Sequence, residues 1–355
     1  MKIKPIKSLT DKIKFGKKYK APTPNDENLP PIYNIMMVAG PKGSGKGVII
    51  NHYLQLCEKS GYKTHDNKPV RQRIIWLSGG TSNSKQNAIL DELKNLHKDD
   101  RIDLDLDGDV NNELDVIYKD ILEERDQIEA YNIYRKVYDK FMKSKKLNNL
   151  TLDELALLRF KDFIDPQIDP DAPRDNDDNL LYHPRVVHMV VDDLIQTDVF
   201  SNNKRGNFFN KISIKSRHDS PDLCPINIIY ITQNFKAVPS VIRKQVDIFI
   251  LLKNANREAI IESLSNEISS HFSKEELTGY YDEVMKIPYA SLILSIHKSE
   301  KDTHRVRVGW TNLVERDPKY TPELQNNKAN KKETKKETKI ETQPKVDGEW
   351  LKIKK

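Results

Sequence analysis

This 355-residue chain contains 13 glycines, and four of them, Gly40, Gly43, Gly45 and Gly47, fall within eight residues. Total glycine usage is about half the average of roughly 7%, so the local concentration answers a backbone need. The surrounding stretch reads YNIMMVAGPKGSGKGVIINHYLQLC. An apolar strand at 34–39 enters the loop, and an amphipathic helix at about 46–59 leaves it. In that strand–loop–helix setting, GxxxxGK is a phosphate-binding loop. Glycines let successive N–H groups converge on phosphate oxygens, and the helix N-terminus adds its partial positive charge. Gly40, Pro41, Lys42, Gly43, Ser44, Gly45, Lys46, Gly47 and Val48 are the candidate residues for binding ATP, with Lys46 reaching the β- and γ-phosphates.

One position departs from the pattern. After the lysine such loops carry Ser or Thr, whose hydroxyl binds Mg²⁺. Here Gly47 and then Val48 follow. The ion must then rely on phosphate, water and a carboxylate from elsewhere. The departure bears on catalytic rate more than on nucleotide binding.

Hydrolysis also needs an acid to hold Mg²⁺ and a group to orient the attacking water. Residues 186–193 read VVHMVVDD. A buried apolar run ending in two carboxylates is costly unless a cation sits there. Asp192 is assigned to magnesium and Asp193 to the water. The next apolar run, INIIYITQN, ends in Gln233 and Asn234. Asn234 suffices for turn chemistry. Gln233 is not a favoured turn former, and its amide can bond both a γ-phosphate and a water.

Further strands are expected at 71–80, 246–252 and 289–296, with RVRVGW at 305–310 alternating like an edge strand. Helical patterns occupy 84–97 and 112–146. Strands alternating with helices predict an α/β fold with a mostly parallel sheet; the resemblance given below makes it RecA/FtsK-like in class. The expected organisation is a basic arm at 1–30, a P-loop ATPase domain at 31–315 with a helical insertion or lid at about 80–185, and a Lys-rich disordered tail at 316–355. The Asp/Pro-rich run at 165–178 is expected to be a loop.

Charge narrows the partners. Residues 1–20 hold eight lysines and one acid, and 326–355 hold ten lysines and five acids, on a chain of net charge +6. Basic ends fit a polyanion partner, and equally fit tails that only confer solubility. No apolar run approaches the ~18 residues of a membrane helix. No apolar region follows the N-terminal lysines as in a secretory signal. Cys57 and Cys224 make neither a disulfide framework nor a CxxC zinc pair. These features argue against membrane, secreted-scaffold and zinc-finger classes.

The order GPKGSGKG, VVDD, RH before a strand ending TQN, then PSVIR resembles the genome-packaging ATPases of large DNA viruses. These belong to the FtsK/HerA superfamily, and the poxvirus-type packaging ATPase is the nearest kind. The resemblance spans about 30–315. It implies that the Gln233 strand lies between the loop strand and the Asp192 strand. It implies a homo-oligomeric ring of five or six subunits, packaging double-stranded DNA with a capsid or portal protein, in host cytoplasm or virion. It implies an arginine finger from a neighbour, assigned to Arg217, with Arg243 second and Arg257 third. It makes Lys204 and Arg205 the candidate DNA-binding pore loop. Other readings are a nucleotide kinase, which Val48 in place of Thr disfavours, a nucleotide-binding structural subunit, and a related helicase or DNA motor.

Overall fold

The computed structural model describes residues 21–80, 84–194, 200, 208–219, 225–296, 305–316 and 351–354, with side chains described except at 84–86, 214–219, 315–316 and 351–354. The chain divides into two compact units, residues 1–248 and 249–355.

The first unit is built on β1 (Ile35–Ala39), α1 (Lys46–Ser60), β2 (Gln72–Ser78), α2 (Ser84–Leu90), β3 (Arg101–Asp103), α3 (Val110–Ser144), α4 (Leu152–Phe160), β4 (Val186–Asp192), α5 (Phe208–Asp219) and β5 (Ile226–Thr232). The strands named here run in the order β1–β5–β4–β2–β3, every pair parallel. β1 and β5 are buried at every residue, and β4 at all but Asp192. Continuous aliphatic runs are what strands covered on both faces require. β5 therefore lies between the loop strand and the Asp192 strand.

Two expectations change here. The helix foreseen over 84–97 stops at Leu90. Beyond it the chain turns back, burying Leu93 and Leu96, while Asn95 accepts from the Ile74 N–H at 2.9 Å and is held by the Glu58 carboxylate. The three-residue β3 that follows has no counterpart in the sequence reading.

The long α3 opens on an Asp109 cap. Its first half is tied to the sheet by charge. Arg73 of β2 meets Asp100 at 2.7 Å, Asp120 at 2.9 Å and Glu124 at 3.6 Å, and Arg185 before β4 also pairs with Glu124. Its second half packs Tyr134 and Val137 on Leu158 of α4. The 165–178 segment is a loop held by local bonds, with Asp175 accepting from Asp177 N at 3.1 Å and Asn179 N at 2.8 Å.

In the first unit a short helix, α6 (Ser240–Arg243), follows β5. Strand β6 (Ile248–Leu252) opens at the unit boundary. The second unit continues with α7 (Arg257–Ile268), α8 (Lys274–Val284), β7 (Ser291–Ser295), β8 (Val306–Val308), β9 (Asn312–Arg316) and β10 (Leu351–Lys354). β7 to β10 form an antiparallel succession. β8 therefore has a partner on each side and is not an edge strand. Its alternating charges misled because Arg305 and Arg307 are themselves buried. Arg305 lies 4.0 Å from the Phe272 ring centroid and donates to the His271 carbonyl. In that setting a guanidinium is stabilised without water.

Candidate nucleotide-binding site

β1 ends where its backbone is still tied to the sheet: Gly40 N–H donates to the Thr232 carbonyl at 3.1 Å. The loop then bends through Gly43 at φ 76° and Gly45 at φ 94°. Both are left-handed conformations that cost a side chain roughly 1–2 kcal/mol. Gly45 caps α1 without a side chain, and the first turn holds no acid. The helix thus leaves its first N–H groups and their partial positive charge to an anion.

Lys46 folds back over the loop and donates to the carbonyls of Gly40 and Pro41, each at 2.9 Å. Partial burial lowers the pKa of its ammonium, while the charges of Asp193 and Asp192 act against that shift. Both carboxylates are therefore electrostatic neighbours of the loop lysine. The Ser44 hydroxyl is buried with no hydrogen-bond partner among the described residues. A buried unpaired hydroxyl is costly, and an oxyanion in the loop would satisfy it.

Across the site β4 delivers Asp192, and the chain turns at Asp193, φ 56°. Asp193 accepts a 2.7 Å bond from the Gln233 amide. Asn234 is used locally: its N–H bonds Thr232 Oγ1 and its side chain caps Lys236 N. The two polar residues after β5 thus divide as their chemistry suggests, one for the turn and one for the site.

A cavity of about 590 Å³ joins these parts, lined among others by Lys42, Lys46, Gly47, Asp192, Asp193 and Gln233. Among the described residues, no group of three or more His, Cys, Asp or Glu could hold a metal by itself. That donor set suits Mg²⁺ bound together with nucleotide, since the ion takes one or two carboxylates and completes its shell with phosphate and water.

Sequence reasoning missed one wall of the cavity, formed by Trp76, Ser78, Gly79, Gly80, Ile89 and Leu90. A Cβ on Gly79 would stand 2.9 Å from Leu194 Cδ2 and 3.1 Å from Leu106 Cδ1. SGG after a strand reads as a simple breaker. Its role follows from sheet order, which the sequence does not spell out.

Lys204 and Arg205 lie outside the described residues. Arg217 stands in the last turn of α5, and its side chain is likewise outside them. Arg243 donates to the carbonyls of Lys236 and Val238, and Arg257 forms a two-pronged pair with Asp282. These two guanidiniums are engaged within their own chain.

No protein-family model and no curated protein matches the chain. Solved structures do. The DNA-packaging ATPase B204 of Sulfolobus turreted icosahedral virus matches at 13% identity and TM-score 0.37, over 78% of this chain and 96% of that one. B204 of Sulfolobus turreted icosahedral virus 2, in complex with ATP-gammaS, matches at 12% and 0.36, over 78% and 96%. The pCW3 conjugation coupling protein TcpA matches at 13% and 0.33, over 75% and 58%. This chain's own glycine loop, its parallel order β1–β5–β4–β2–β3 and its aspartate pair make it an α/β P-loop nucleotide-binding fold.

Proposed function

We propose that the chain is an ATP-driven translocase of double-stranded DNA that packages a viral genome, working as a homo-oligomeric ring in host cytoplasm or virion. The observation that carries this reading is that Lys46, Asp192, Asp193 and Gln233, drawn from three adjacent parallel strands and their loops, line one cavity.

The loop N–H groups and Lys46 take the phosphates of ATP. Asp192 would hold magnesium, which when bound would supply neutralising charge to the nucleotide's phosphates. Asp193 accepts a proton from the attacking water, whose oxygen bonds the γ-phosphorus as the bond to ADP breaks. Gln233 fixes the Asp193 carboxylate through the observed hydrogen bond. Arg217 of a neighbouring subunit completes the charge stabilisation, a contribution worth about 10³–10⁵ in rate. The in-chain engagement of Arg243 and Arg257 supports choosing Arg217 over them. Lys204 and Arg205, which come after Asp193 in the sequence, are assigned to grip DNA phosphates of any sequence. The basic ends add salt-dependent attraction to DNA, and a capsid or portal protein receives the ring.

Gly47 favours a second reading, a structural subunit that binds nucleotide without turnover. ATP hydrolysis by the full-length protein, with and without duplex DNA, separates the two. The motor reading expects stimulation by DNA and its loss in Lys46→Ala. Tight nucleotide binding with no hydrolysis under any oligomerising condition would refute it in favour of the second.

A further inference from the structure

The loop lacks a hydroxyl at Gly47, and a Cβ built there meets nothing within 4 Å. The space beside the start of α1 is open. The cavity wall opposite carries a hydroxyl of its own, Ser78 at the end of β2. Ser78 is in register with Asp192 on β4 and with Asp103 on β3. Register partners in a parallel sheet project to the same face, so the three side chains form a row across the sheet's C-terminal edge. Ser78 is 9% exposed, and its hydroxyl donates to Asp103 Oδ1.

That bond decides what Ser78 can do. A serine hydroxyl has one proton and two acceptor lone pairs. With the proton given to Asp103, the oxygen keeps its lone pairs as an acceptor, on a residue that lines the cavity. In an ordinary phosphate loop, the Ser or Thr after the lysine supplies such an oxygen to Mg²⁺. Nucleotide-bound magnesium needs few protein oxygens, so one hydroxyl beside Asp192 makes up the loop's deficit.

We propose that Ser78, oriented by Asp103, replaces the missing loop hydroxyl as an oxygen donor to the divalent cation that binds with ATP. The assignment rests on the nucleotide-site reading and adds the origin of the second protein oxygen. A purely structural role, tying β2 to β3, would predict no effect on cation affinity.

The test uses the full-length protein with Mn²⁺ as the probe. Mn²⁺ is titrated into the complex with a non-hydrolysable ATP analogue, and the free ion is read by electron paramagnetic resonance. Binding of a fluorescent ATP analogue in EDTA is measured in parallel. Ser78→Ala is expected to weaken Mn²⁺ binding about 10–100-fold, with metal-free nucleotide affinity within about twofold. Asp103→Asn, which leaves the Ser78 hydroxyl in place, is expected to weaken it less. Gly47→Ser added to Ser78→Ala is expected to restore affinity, which a folding defect at Ser78 would not allow. Unchanged Mn²⁺ affinity in Ser78→Ala, with nucleotide still bound, would overturn this proposal alone. Failure of the unaltered protein to bind nucleotide both in EDTA and with Mn²⁺ present would overturn the site reading itself and this proposal with it.

Discussion

His188 sits in the middle of β4, four residues before Asp192, with none of its surface exposed. Its ring has Tyr53 at 6.0 Å and Tyr62 at 5.9 Å, and its Nδ1 lies 3.3 Å from the Asn227 amide. Burial pushes its pKa from 6.5 down to about 3. The folded protein therefore keeps this ring neutral where the unfolded chain would protonate it. The contribution to stability is complete above pH 6.5 and is lost as pH falls toward the folded value. Worked as RT ln(1 + 10^(6.5 − pH)), the penalty is about 0.1 kcal/mol at about pH 7.5 and about 1.4 kcal/mol at about pH 5.5. The expected loss between them is about 1.3 kcal/mol. In a unit of about 250 residues, that lowers Tm by roughly 3–5 °C. Urea unfolding, followed by tryptophan fluorescence at the two pH values, measures the loss. His183 and His271 are shifted in the same direction by partial burial, so the comparison is with His188→Leu. That variant is less stable at every pH because it strips Asn227 of a partner, but its stability should change with pH by about 1.3 kcal/mol less than the parent's. Equal pH dependence in parent and variant would refute the assignment of a buried neutral imidazole.

Two other outcomes follow from the site's packing and polar contacts. Gly79→Ala must push Leu194 or Leu106 aside, so it should cost about 1–3 kcal/mol, read as a lower urea midpoint, and should displace Asp193 next to Leu194. Gln233→Ala removes the amide holding Asp193 and should lower kcat about 10–10²-fold while leaving nucleotide affinity near its original value, measured by steady-state hydrolysis beside equilibrium binding.

The parts legible in the sequence were those whose chemistry is expensive out of place. Four clustered glycines mean a backbone that other residues cannot follow, and β1, the loop and α1 stand where that reasoning put them. Two carboxylates at the end of an aliphatic run, and a glutamine where a turn former was expected, marked the other half of the cavity. Ser78 and Gly79 were not legible, because small residues at a strand end are common, and the meaning of Ser78 lies in its register with Asp192 and Asp103. β8 was misread because Arg305 and Arg307 are covered by the fold. The truncation of α2 at Leu90 depends on Glu58, 37 residues away, which captures the backbone at Asn95. Local pattern carries no trace of such a contact.

The most direct test of the account is the affinity of the full-length protein for a non-hydrolysable ATP analogue, compared with that of Lys46→Ala. The geometry predicts binding by the unaltered protein and a weakening of about 10–100-fold on losing the charge-assisted bonds of the Lys46 ammonium. Equal affinity in the two proteins would place the nucleotide elsewhere and contradict the assignment of the glycine loop and its facing aspartates.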